Sequence, residues 1–222
     1  MATNNKAFIF DMNGTMVDDM AYHVKGWYNL LTQDLGAQLS FEEVSKEMYG
    51  KNSEVMERVF GKGKFTQEEM DYWSLEKEKR YQDAYLPNLK LIDGLQQFID
   101  AAYTAEIPMS IGSAAIPFNI NFVLDNLHLH QYFKVIISAD DVAISKPHPE
   151  TFTKAATLMG VVPENCIVFE DAPKGVEAAQ NAGMRCVVLT TMHEIKAFTK
   201  YKNIICFIKD YTQLRLGDLV NQ

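Results

Sequence analysis

Residues 7–15 read Ala-Phe-Ile-Phe-Asp-Met-Asn-Gly-Thr. The apolar run 7–10 leads straight into Asp11, and a turn follows at Gly14. A continuous apolar run of this length is the pattern of a strand covered on both faces, as in parallel sheets. Its terminal acid then stands at the carboxyl edge of the sheet, where open α/β folds bind ligands. Glycine permits the sharp turn that follows. Asn13 is the anomaly in this stretch, because an amide cannot take up and release a proton as a carboxylate does.

Working outward, the same signature recurs. Short apolar runs at 7–10, 108–112, 135–138, 166–169, 186–189 and 204–208 predict strands. Helical patterns at 94–103, 117–127, 150–159, 175–182 and 193–201 fall between them. Strand–helix alternation predicts an α/β fold with a Rossmann-like parallel sheet. Cys166, Cys186 and Cys206 lie singly in apolar runs at equal spacing, which reads as a strand–helix period with buried thiols and not as a metal site. The five histidines form no metal-ligand pattern, and His128 and His130 read as a loop or helix end.

The region 16–89 breaks the rhythm, with helical periodicity at 20–35, 41–49, 53–60 and 66–85. Ser40 with Glu43, and Thr66 with Glu69, have capping-box spacing. Gly61-Lys-Gly63 lacks a third glycine and a preceding strand, so it is no dinucleotide fingerprint. The expected organisation is a core of 1–15 plus 90–222 and an inserted helical domain of 16–89, with Leu86-Pro-Asn88 as the return linker.

The 222 residues are 47% hydrophobic and 23% charged, an ordinary globular balance, with net charge −8 and no Lys/Arg-rich run. That excludes nucleic acid as the expected partner. No apolar run approaches the roughly 20 residues of a membrane span, and the N-terminal residues lack a signal-peptide core. The expectation is a cytoplasmic monomer acting on a small molecule.

Polar groups stand at four strand ends: Asp11 to Thr15, Ser113, Lys146 in Ile-Ser-Lys-Pro-His-Pro, and Glu170-Asp171. Phosphoryl transfer needs a nucleophile, cationic neutralisation of the equatorial oxygens and surrounding donors. Asp11 can attack phosphorus. Asp171 with Asp11 and the carbonyl of residue 13 can hold Mg²⁺, supported by Glu170. Ser113 and Lys146 can grip the phosphoryl group, and two prolines fix the turn that carries the lysine.

In these motifs the chain resembles the haloacid dehalogenase superfamily, in the β-phosphoglucomutase-like branch of phosphatases with a helical cap. Asp11 to Thr15 matches the family's Asp-x-Asp-Gly-Thr motif except at Asn13; Ser113, Lys146-Pro147, Glu170-Asp171 and Gly175 to Gly183 match its later motifs. The resemblance implies a Rossmann-like core, a helical cap, Mg²⁺ dependence and an aspartyl-phosphate intermediate. It further implies substrate contacts from Gly14, Thr15 and Ala114, and from His23, Lys51 and Asn52 in the cap. His23 and Trp27 resemble hinge positions.

At position 13 the family carries its general acid/base, a role typically worth roughly 10²–10⁴-fold. Asn13 is compatible with a substitution made to trap a complex, with an enzyme using another base or an activated leaving group, or with a silenced binding protein. The mutases of this branch place an arginine three residues after a cap-loop glycine, where this chain has Ser53 after Gly50. They also follow the second-motif serine and alanine with polar donors, where Ala115, Ile116 and Pro117 stand here. The expectation is therefore hydrolysis of a sugar phosphate or similar metabolite, with β-phosphoglucomutase as the alternative. Lys77 is expected on a solvated helix face.

Overall fold

The structure is a computed structural model and describes residues 6–220. Its strands are β1 (Ala7–Phe10), β2 (Met109–Gly112), β3 (Val135–Ile137), β4 (Cys166–Glu170), β5 (Arg185–Leu189) and β6 (Ile204–Ile208). Its helices are α1 (Met20–Asn29), α2 (Phe41–Lys46), α3 (Asn52–Phe60), α4 (Gln67–Tyr85), α5 (Leu95–Thr104), α6 (Pro117–Asn126), α7 (Glu150–Met159), α8 (Pro173–Asn181) and α9 (Leu216–Val220). The chain divides into two compact units, one of residues up to Asp18 and from Lys90 onward, the other Asp19–Leu89.

The first unit is a fully parallel six-stranded sheet in the order β3-β2-β1-β4-β5-β6. This doubly wound order reverses direction between β1 and β4, so the crevice at their carboxyl ends is the topological switch point. Side chains alternate across β1. Ala7 and Ile9 join Phe152, Ala155, Val176 and Ala179 on one face. Phe8 and Phe10 join Phe98, Phe169 and Phe133 on the other, with Phe10 stacked on Phe169 at 4.4 Å. Both faces are covered, which is why the strand reads as uninterrupted apolar sequence.

Residues 16–18, which the sequence pattern assigned to the helical block, belong with the sheet. Val17 bridges Leu91, and the Ile92 N–H donates to the Met16 carbonyl at 2.9 Å. The segment 193–201, expected as a helix, forms only a short 3₁₀ turn at Ile195–Phe198. The short α9 had no expectation.

The second unit packs α1–α4 around Trp27, Leu30, Leu31, Val44, Val55 and Met56. Both capping boxes form: Ser40 and Thr66 accept from the N–H groups of Glu43 and Glu69, whose carboxylates accept from the capping residues. Each cap is worth about 1 kcal/mol. The pattern at 20–35 predicts one helix, but α1 stops at Asn29 and a π-helical turn covers Leu30–Asp34. There the Thr32 hydroxyl donates to the Tyr28 carbonyl at 2.6 Å, a side-chain competition that loosens the ladder.

Candidate active site

The site is assembled at the carboxyl ends of β1 and β4. Phe10 pairs with Phe169, and the Asp11 N–H donates to the Phe169 carbonyl at 2.9 Å, which sets Asp11 beside Glu170 and Asp171. Carboxylate oxygens of these three acids lie within 4.8 Å of one another, and all three residues are buried. Beyond Asp11 the chain coils tightly: the N–H groups of Thr15, Met16 and Val17 all reach the Met12 carbonyl. Asn13 is half-buried in this turn and bridges Val17.

Lys146 lies in the loop before α7 and reaches back into the acids. Its ammonium donates to Asp11 Oδ1 at 2.7 Å and to Glu170 Oε1 at 2.8 Å, above the Phe152 ring at 4.6 Å. The loop is pinned at both ends. Glu150 accepts from the Ala143 and Ile144 N–H groups, and Asn181 donates to the Pro147 carbonyl. Burial disfavours the Lys146 charge, but Asp11 and Glu170 outweigh it and hold the pKa above the ordinary lysine value. Lys146 is therefore a fixed cation.

Glu170 is fully engaged. Its Oε1 takes Lys146, and its Oε2 accepts from the Asp171 and Ala172 N–H groups at 2.9 and 2.8 Å. It thereby shapes the entry to α8, and Gly175 is required there because a Cβ would fall 1.6 Å from Glu170 Oε1. Asp171 is different. Burial, then the charges of Glu170 and Asp11, push its carboxyl well above the ordinary aspartate range, and Lys146 only partly offsets them.

One ammonium among three acids leaves hard oxygen donors that Lys146 does not satisfy, those of Asp171 above all. That donor set fits a divalent cation such as Mg²⁺, which binds through one or two carboxylates and retains waters. Asp11 and Asp171 have the oxygens to hold it, with Glu170 in support.

Gly14 and Thr15 touch Asp171. The Thr15 hydroxyl lies 3.5 Å from Asp171 Oδ1, and Gly14, at φ 75°, leaves room for Asp171 Oδ2. Ser113 is buried at the end of the neighbouring strand β2; its N–H donates to the Ile137 carbonyl and its hydroxyl accepts from the Ala115 N–H. Ala114 is half-buried beside it.

His23, Lys51 and Asn52 lie in the helical unit. Lys51 precedes α3, with its N–H on Glu54, and Asn52 donates to Glu78 Oε1 at 2.8 Å. His23 Nδ1 is 2.6 Å from the Lys77 ammonium. The expectation of a solvated Lys77 is wrong. The side chain is buried, donates to both Glu78 oxygens at 3.0 Å and lies 5.3 Å from the Trp27 ring. Asp19 completes the cluster by accepting from the Tyr81 hydroxyl and by lying 3.4 Å from His23 Nε2. A lysine next to a glutamate on a polar helix carries no sequence signal of burial. The Thr191 and Tyr211 hydroxyls, which donate to the Gly14 and Thr15 carbonyls, belong to no sequence motif of the site. Their one available signal is that each follows the end of an apolar strand.

Comparison with known proteins shows the family. A family model described as haloacid dehalogenase-like hydrolase matches residues 8–189. The chain is 31% identical over 185 residues to fructose-1-phosphate phosphatase of Escherichia coli (strain K12), covering 81% of this chain and 93% of that one. It is 29% identical over 187 residues to β-phosphoglucomutase of Bacillus subtilis (strain 168), covering 82% of each. The crystal structure of a HAD hydrolase, family IA, variant 3, from Entamoeba histolytica superposes with TM-score 0.85 at 26% identity, over 97% of this chain and 98% of that one. The chain belongs to the haloacid dehalogenase-like hydrolases.

Proposed function

We propose that the protein is a Mg²⁺-dependent phosphatase of small phosphorylated metabolites, with sugar phosphates as the substrate class. The observation that carries this reading is the constellation at the switch point: Asp11 and Glu170 both paired to Lys146, with the buried carboxyl of Asp171 beside them and not bonded to that lysine. In this reading an Asp11 carboxylate oxygen attacks phosphorus. The bond from phosphorus to the ester oxygen breaks, the leaving oxygen departs as an alkoxide that takes its proton from solvent, and water then hydrolyses the aspartyl phosphate, releasing inorganic phosphate and a proton and regenerating Asp11. Asp11, Asp171 and the Asn13 carbonyl would hold the divalent cation, which would supply charge neutralisation at the phosphoryl oxygens. Lys146 and Ser113 bind the same oxygens, and Lys146 keeps Asp11 ionised and oriented. Gly14, Thr15 and Ala114 contribute the remaining donors and the space around the phosphoryl group.

Asn13 supplies no proton to the leaving oxygen. The protein is accordingly expected to favour esters whose alcohol leaves without protonation. The sugar phosphatase and mutase relatives support the substrate class. Release of inorganic phosphate from a panel of phosphate esters tests the reading, and retained turnover in Asp11→Ala would refute it. The B. subtilis relative favours one second reading, phosphoryl transfer between two hydroxyls of one sugar. β-Glucose 1-phosphate with a bisphosphate activator separates the two, giving glucose 6-phosphate for a mutase and free phosphate for a phosphatase.

A further inference from the structure

The turn that follows Asp11 is held from outside. Inside it, the Met12 carbonyl takes three N–H groups and the Gly14 N–H donates to the Val17 carbonyl. The carbonyls of Gly14 and Thr15 belong to buried residues, and such groups require partners. The Thr191 hydroxyl donates to the Gly14 carbonyl at 2.6 Å, and the Tyr211 hydroxyl donates to the Thr15 carbonyl at 3.1 Å. Both come from far along the chain, after the ends of β5 and β6.

These are the same two turn residues that touch Asp171: Gly14 leaves space for its Oδ2, and the Thr15 hydroxyl lies against its Oδ1. Each is therefore fixed on one side by a distant hydroxyl and bears on Asp171 on the other. Tyr211 is itself immobilised. Its N–H donates to the Asp93 carbonyl, its ring packs on Phe98 and Phe169, and its backbone lies so close to Gly94 that a Cβ there would fall 2.6 Å from the Tyr211 carbonyl carbon.

We infer that Thr191 and Tyr211 are positioning residues for the acidic site, setting the placement of Asp171 through Gly14 and Thr15 and thereby the affinity for a divalent cation. The inference rests on the metal-dependent reading above. Partners of this kind, one step removed from the ligands, typically tune metal affinity about 10–100-fold.

The test is calorimetric titration of MgCl₂ into metal-stripped wild type, Thr191→Val, Thr191→Ser and Tyr211→Phe, with thermal midpoints of the same metal-stripped proteins. The expected result is Mg²⁺ affinity about 10-fold weaker in Thr191→Val and Tyr211→Phe. Thr191→Ser, which keeps the hydroxyl, restores it. Midpoints fall by only ~2–4 °C, as for one lost buried hydrogen bond in a chain of this size. Lowered midpoints with unchanged Mg²⁺ affinity overturn the inference and leave the metal-dependent reading intact. A wild type that binds no Mg²⁺ overturns both. If Thr191→Val fails to fold, the affinity of Tyr211→Phe decides.

Discussion

Gly14 and Asp171 occupy complementary space: a Cβ on Gly14 would lie 2.1 Å from Asp171 Oδ2. Gly14 also has φ 75°, a conformation that costs an alanine roughly 1–2 kcal/mol. Gly14→Ala is therefore expected to displace Asp171 as well as strain the turn. The predicted outcome is a modest loss of stability together with loss of the Mg²⁺-induced rise in thermal midpoint. Thermal melts with and without MgCl₂ read both effects. A variant that keeps the full Mg²⁺ response would show that Asp171 is not placed by Gly14.

Lys146 neutralises two buried carboxylates at once. Removing one member of a buried ion pair leaves an uncompensated charge, at a cost of about 3–5 kcal/mol. Lys146→Met is expected to lower stability by that order in urea unfolding and to abolish phosphate release. Under this account Mg²⁺ restores part of the lost stability, because the same acids face the cation. A Lys146→Met variant as stable as wild type would contradict the assigned pairing.

Lys77 gives the helical unit a pH signature. Burial pulls its pKa below the ordinary lysine value, against the opposing pull of Glu78 and Asp19. Between that lowered value and the ordinary value of about 10.4, the unfolded chain binds more protons than the folded one. Stability therefore rises with pH across this window. The midpoint of urea unfolding, followed upward through mildly alkaline pH, is expected to climb in wild type and to lose that slope in Lys77→Met. An identical slope in the variant would assign the titration to other groups.

Asn13 sets the leaving-group preference. Restoring a carboxylate with Asn13→Asp is expected to raise hydrolysis of alkyl phosphates by about 10²–10⁴-fold. The gain is expected to be much smaller for an aryl phosphate, whose leaving group needs no proton. Parallel kcat/KM values for a sugar phosphate and p-nitrophenyl phosphate check this. Equal gains on both substrates would mean that position 13 does not protonate the leaving oxygen.

How much of this was visible in the sequence follows from the range of the interactions. Strand ends are local, so Asp11 and Glu170-Asp171 could be read from the residues that precede them, whereas Lys146, expected at a strand end, stands in a loop well beyond the end of β3 at Ile137. The capping boxes are equally local, and both form. Strand order is not local. That β1 lies between β2 and β4 depends on packing over 150 residues, and only the sheet shows that Asp11 and Glu170 are neighbours. The burial of Lys77 has no local signal, because its partners His23 and Asp19 lie more than 50 residues away while its own helix is mostly polar. The π-helical turn was hidden because the hydroxyl of Thr32 competes with a ladder that periodicity alone would continue. Thr191 and Tyr211 act on a turn almost 180 and 200 residues earlier. No spacing rule connects them.

Everything proposed for the site turns on Asp11 as the nucleophile of a cation-dependent phosphatase. The most direct measurement is phosphate release from a panel of small phosphate esters, with and without MgCl₂, by wild type, Asn13→Asp and the double variant Asp11→Ala/Asn13→Asp. Mg²⁺-dependent release is expected, strongest in Asn13→Asp and absent from the double variant. Release by the double variant equal to that of Asn13→Asp would contradict it.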